Sequence, residues 1–378
     1  MLSAAHPPED LRVVGKEGAA LAAAGWRVTH LCPGDPATAP RAHAGVAIET
    51  IVRGQGWWGR LCGLPALARR ARRMGAAVIH ASEPDAWLAA ILAARRGGTR
   101  VVLDVHEHYP SRLDPRLPAP LRPLARGAIR LACRMMARRA DLIVVAKDGL
   151  AADFRAADRT IAVRNYALAA EVPPRVHAPG PITLVHLGAI GRARGWPALL
   201  DALALARDDT RLLVIGRFTD GSEAEFRARV ATLGLASRIE VLGWMPHAAA
   251  LARAAACDIG VVLFQPGERN HDLALPHKLF DCMLAGLPVI APRFATEVAA
   301  IVQDAACGVL VDPAEPVAIA AVIEDLSDPS KRSVMGACGR KAALSHYNWQ
   351  GEAQRLVAAY DKFRVPRTSA PVSSDAMR

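Results

Sequence analysis

Short apolar runs alternate with longer Ala- and Leu-rich stretches of helical period along most of this chain, and the series is run through twice. The first series places buried strands at 27–31, 77–80, 101–105, 142–145 and 160–163. A Pro- and Ala-rich loop at 165–181 interrupts it, and a second series follows at 183–187, 212–215, 239–242, 259–263, 288–291 and 309–311. Strands that are apolar throughout need cover on both faces, and the intervening helices supply it. The predicted fold class is therefore α/β: two doubly wound, Rossmann-like domains facing a cleft, with ligands at the carboxyl ends of the strands. The 378 residues suffice for two such cores. The expected domains are 1–170 and 181–345, with a last helix in 346–363 crossing back to the first domain and a Pro/Ser/Thr-rich disordered tail at 364–378. Only residues 2–5 precede the loop at His6-Pro7-Pro8, so the first strand is either very short or begins upstream.

No apolar stretch is long enough to cross a bilayer and the start lacks a signal-peptide layout, so a soluble, cytoplasmic protein is expected. Seven scattered cysteines, with no C-x-x-C and no zinc spacing, read as reduced and structural. The net charge of +11 is unevenly placed: residues 1–175 hold 26 Lys and Arg against 15 Asp and Glu, whereas the remainder holds 21 against 21. A basic half suits an anionic partner, such as a membrane surface, a lipid phosphate or nucleic acid, unless the arginines simply decorate solvated faces.

The densest chemical signal runs from Leu275 to Ala291. Pro276 fits the first turn of a helix, Gly286 its exit, and Pro288 opens the following strand. Lys278 and Asp281, three apart, share a face near the helix N-terminus, where free N–H groups suit phosphate and a carboxylate can accept ribose hydroxyls. The polar loop 267–272, with His271, can line the same site. Spacing alone also allows an ordinary helix ion pair worth a few tenths of a kcal/mol.

The same stretch resembles the donor-site segment of GT-B glycosyltransferases of family 4, bacterial group 1 type, which in many members reads P-x-K-L-F-E-Y-M-A-x-G-x-P-V-I. Further segments resemble that family in order: His6 to Arg12 with Lys16, Glu17 and Gly25; Asp104 to Pro110; Val163-Arg164-Asn165; and Leu187-Gly188-Ala189 through Arg194-Gly195. The resemblance implies transfer of a sugar from a nucleotide-sugar donor to a saccharide or lipid-linked acceptor, with retention, in surface polysaccharide biosynthesis. It implies that Asp281 binds the donor ribose, that Lys278 and Arg194 meet the diphosphate, and that Gly188 and His271 complete the donor site. His106 and Glu107 then face the transferring sugar as catalytic candidates, and His6, Asp10 and Arg12 lie on the acceptor side, with His80 and Glu83 ranking lower. Three departures stand out: Asp281 is shorter than the family's Glu, Ala189 replaces an Arg, and Leu273 occupies the place of an earlier carboxylate. The first loop also lacks the family's glycine-rich turn. No D-x-D pair is present to hold a metal, so no metal or other cofactor is expected. A nucleotide-sugar 2-epimerase of similar fold and a catalytically degenerate scaffold are the alternatives. A dinucleotide-dependent dehydrogenase is disfavoured, because no G-x-G-x-x-G follows the first strand.

Two basic segments are candidates for docking on an anionic membrane, and nucleic acid is not expected as a partner. Arg122, Arg126, Arg130, Arg134 and Arg138 recur every four residues and so share one slowly drifting helix face. Trp57, Trp58, Leu61 and Leu64 precede Arg69, Arg70, Arg72 and Arg73, pairing interfacial aromatics with a cationic run.

Overall fold

The computed structural model describes residues 1–364 except 53, 55, 96, 97 and 169–171, and sets aside the side chains at 57, 60 and 61. All but the first residue of the expected tail thus lies outside the described residues. The chain packs as two compact units, one of Met1–Leu103 with the residues from Ala353 on, the other of Asp104–Glu352.

In the first unit, β1 (Thr29–Pro33) pairs in parallel with β3 (Val46–Ile51), and β2 (Ala42–His43) lies antiparallel to β3. The β2–β3 hairpin is absent from the sequence reading, because Glu49 and Thr50 break the apolar run that would have marked it. β4 (Val78–Ala81) pairs in parallel with β5 (Arg100–Val105). Near the start, Leu2 forms isolated parallel bridges to both Leu31 and Ala81. The helix Gly56–Arg73 packs against the helix Pro84–Ala94, which meets β4, with Trp87 fully buried. From the other end of the chain, the helix Trp349–Asp361 brings Tyr360 to this unit, where its hydroxyl lies 2.7 Å from His80 Nδ1 and its ring meets Trp26 edge-on.

The second unit continues from the end of β5, where the carbonyl of Val105 accepts the N–H of Ala146 just past β6 (Leu142–Val145), and β6 pairs with β7 (Thr160–Ala162). Its second sheet has six parallel strands: β8 (Thr183–Leu187), β9 (Arg211–Ile215), β10 (Ile239–Leu242), β11 (Ile259–Val261), β12 (Val289–Pro292) and β13 (Gly308–Val311). They lie in the order β10-β9-β8-β11-β12-β13. The direction of winding reverses between β8 and β11, the place where doubly wound sheets open a ligand crevice at their carboxyl ends. Successive β8 residues serve opposite faces: Leu184 packs with Trp196, Leu200 and Ile319, whereas Val185 and Leu187 pack with Phe280 and Met283. All strands of the sequence reading form, within two residues at either end. The seven cysteines are free thiols.

Phe280 fixes the helix His277–Leu284 in this core, fully buried with its ring centroid 4.8 Å from that of Tyr166. Phe280→Ala should cost about 3–5 kcal/mol through lost burial and the cavity left behind. Denaturant unfolding measures it, and a loss below about 1 kcal/mol would mean that this helix is not anchored as described.

Candidate active site

β8 is followed by Gly188, whose positive φ of 85° turns the chain out of the sheet, and whose N–H donates to Ile215 O at 2.8 Å. The ends of β8 and β9 approach so closely that a Cβ on Gly216 would stand 1.8 Å from the Gly188 carbonyl oxygen. The chain then makes a turn at Arg192–Arg194, passes Gly195 and enters the helix Trp196–Leu205, so Arg194 is delivered beside a helix N-terminus at the carboxyl edge of the sheet. Such an end carries free N–H groups that favour anions.

Arg194 and Lys278 meet the same aromatic ring, that of Phe264 just beyond β11. The guanidinium carbon lies 4.8 Å from its centroid and the ammonium nitrogen 5.8 Å. Lys278 Nζ also lies 3.0 Å from Nε2 of the buried His186. Burial lowers the Lys278 pKa to about 7, with repulsion from Arg194 adding to it. Burial likewise pulls Arg194 below its usual range, opposed by Glu268 and Glu107. His186 is held neutral by burial and by Lys278. The pair is thus poised to gain from a ligand that brings negative charge.

Beside it lies a cavity of about 610 Å³ whose lining includes Glu107, Lys147, Arg194, Glu268 and His271, with six Lys and Arg against three Asp and Glu. Lys147, just past β6, is absent from the sequence reading. Burial lowers its pKa to about 8, while Glu297 and Glu107 pull it up. One signal was available: the chain has only six lysines among its 47 basic residues, and two of the six, Lys147 and Lys278, stand at this site. His271 is buried, donates from Nδ1 to the carbonyl of Gln265 at 2.8 Å and stacks near Phe264, and burial keeps its pKa low.

The other candidates separate. Glu107 lines the cavity and pairs with Arg112, whereas His106 is not part of that lining and turns Nε2 to Asp104 at the end of β5. Lys278 and Asp281 also stand outside the lining. They diverge despite their shared helix face: Asp281 is buried with one oxygen 2.9 Å from His247 Nε2 and the other 2.9 Å from His277 Nδ1. Burial pushes this carboxyl up, but the two histidines outweigh it and hold it well below the usual carboxylate range. Leu273, where the family has a carboxylate, is buried so close to Gly149 that a Cβ there would meet Leu273 Cδ2 at 2.6 Å.

In the first unit, His6 Nδ1 lies 2.9 Å from Asp10, and His6 Nε2 lies 3.8 Å from Glu83. Asp10 also accepts the N–H groups of Arg12 and Val13, each at 2.9 Å, and so secures the helical turn that follows. Arg12 is buried and paired with Glu17 at 2.8 Å. Glu83, with its pKa raised by burial, joins His6 and Asp10 more closely than the sequence indicates. The arginine stripe on the helix Arg122–Ala137 also changes meaning. Arg126 pairs with Asp114, Arg130 with Asp153, and Arg122 and Arg134 donate to backbone carbonyls of Leu117 and Asp153. Of the five, Arg126 is exposed on the helix and Arg138 just past its end, and the large apolar side chains turned outward along the helix are Leu124, Leu131 and Met135. In the second basic segment Trp58 is exposed and Leu64 buried, Arg70 pairs with Glu49, and the side chains of Trp57 and Leu61 lie outside the described residues.

Comparison with known proteins identifies the family. Residues 12–165 match the glycosyl transferase 4-like domain and residues 181–328 match glycosyl transferases group 1. The probable glycosyltransferase WbjE of Pseudomonas aeruginosa is 26% identical over 298 residues, covering 75% of this chain and 73% of that protein. Among solved structures, sucrose-phosphate synthase from Thermosynechococcus elongatus superposes with a TM-score of 0.74 at 19% identity, covering 91% of each chain. HepE of Anabaena in complex with UDP does so with a TM-score of 0.70 at 18% identity, covering 96% of this chain and 98% of the other. With both of its halves matched and this fold, the chain belongs to the GT-B glycosyltransferases, combining a glycosyl transferase 4-like domain with a glycosyl transferases group 1 domain.

Proposed function

We propose that this glycosyltransferase takes its sugar from a nucleoside-diphosphate sugar bound at Arg194 and Lys278, and passes it with retention to a saccharide or lipid-linked acceptor in surface polysaccharide assembly. The observation that carries the reading is the pair of desolvated cations on Phe264 at the β8/β11 switch point. As the bond to the anomeric carbon breaks, negative charge grows on the departing diphosphate. Preorganised cations in a site poor in water stabilise it without reorganisation. Lys147 extends the same positive wall into the cavity, and Glu107 is placed there to bind a sugar hydroxyl or to assist acceptor deprotonation. Asp281 would reach the donor ribose once one histidine releases it.

Lys278→Ala and Arg194→Ala should each weaken binding of the matching nucleoside diphosphate, found from a panel of UDP, GDP and dTDP, by about 1.5–3 kcal/mol. Unchanged affinity in both would remove the assignment. The pH dependence has a definite sign. The protonated lysine binds diphosphate, and the free protein loses that proton as pH rises through about 7. Affinity should therefore fall between pH 7 and 9, by up to about tenfold per unit, and Lys278→Arg, which stays charged, should abolish that slope. In this mechanism the cations replace a divalent metal, so transfer should proceed at full rate in excess EDTA. An absolute need for Mg²⁺ or Mn²⁺ would refute it.

The same reading places the protein at the cytoplasmic face of a membrane, supported by the exposed apolar face of the helix Arg122–Ala137. Leu124, Leu131 and Met135 are 75%, 58% and 52% exposed, a stripe suited to the acyl boundary, and Arg138 stands exposed at its end. No helix among the described residues is long and apolar enough to cross a membrane. Anionic liposomes should co-sediment the protein, and Leu124→Ser with Leu131→Ser should release it more completely than charge reversal at Arg130, which Asp153 already engages. Equal recovery with neutral and anionic vesicles would argue against attachment.

A further inference from the structure

His247, His277 and Asp281 each offer a ligand atom within 4.8 Å of the other two. His277 and Asp281 stand four apart on the helix His277–Leu284, so their side chains are neighbours on one face, and His247 opens the helix His247–Ala254. The contacts His247 Nε2 to Oδ1 and His277 Nδ1 to Oδ2 are both 2.9 Å. Ligand atoms bonded to one ion at about 2.0–2.2 Å stand roughly 3 Å from each other, so little movement separates this arrangement from a coordination sphere. The imidazole rings meet edge-on with centroids 5.1 Å apart. Their side chains are 34% and 18% exposed above a carboxylate that is 8% exposed, which gives an ion a path from solvent and leaves positions for water.

We propose that His247, His277 and Asp281 form a binding site for a divalent transition-metal ion of the zinc, cobalt or nickel type. Two imidazole nitrogens and one carboxylate select such ions over Mg²⁺ and Ca²⁺, which prefer all-oxygen shells. The ion is an addition to the transfer chemistry, which uses Arg194 and Lys278. Bound there it would tie down the carboxylate that the donor reading assigns to ribose. It would then act as an inhibitor that EDTA relieves, a consequence that rests on that reading as the metal site itself does not.

Titration of the purified full chain with Co²⁺ tests the site without nucleotide or turnover, because coordinated Co²⁺ develops visible absorption that Zn²⁺ displaces. Wild type should bind one Co²⁺ and lose the absorption to Zn²⁺. His247→Gln keeps a side-chain donor for Asp281 but removes the imidazole, and should weaken Co²⁺ binding by about 10–100-fold or more. His277→Gln should do the same, with thermal unfolding confirming that both variants fold. No absorption in wild type, or an absorption that survives both substitutions, would overturn the site.

Discussion

Strand β8 pairs in parallel with β9 on one side and β11 on the other, and the placement of Arg194 and Phe264 depends on that double pairing. Parallel neighbours need crossover connections, and the two series of connections leave β8 in opposite directions. Their loops cannot close over the carboxyl edge between β8 and β11. Gly188 and Arg194 come from the loop after β8, and Phe264 from the loop after β11. The crevice is thus a product of strand order, and the residues that face it are those that the chain leaves at strand ends.

Within this frame the local chemistry runs against stability. Arg194 and Lys278 repel each other over one ring, and both lose hydration through burial. Such an arrangement persists because the core beneath it is rigid: Phe280 and Met283 hold the Lys278 helix from below, and Gly195 permits the approach of the Arg194 turn to Leu263. In general, fixed cations that are short of solvation gain from any anion that joins them.

Features encoded by neighbouring residues were legible in the sequence, and features encoded across distance were not. Runs such as Thr183–Leu187 are apolar throughout, and the helix at Lys278 is bracketed by Pro276 and Gly286, so the strands and that helix could both be read. The β2–β3 hairpin escaped because only Val46 of its longer strand is buried. Spacing put five arginines on one face but could not say which way that face turned, since Asp114 and Asp153 come from other parts of the chain. For the same reason Lys278 and Asp281 looked like partners, whereas His247, 34 positions away from Asp281, draws the carboxylate aside. Lys147 carried a compositional signal in the scarcity of lysine, but its burial at the site is a matter of packing that no local pattern reports.

The first unit is assembled from both ends of the chain, with all of Asp104–Glu352 between them. Tyr360 must meet His80 and Trp26 to finish it. On the ribosome, the strands β1 to β4 therefore emerge long before the helix that completes their packing. The second unit is synthesised whole in the interval, so the part of the chain made first is the last to close.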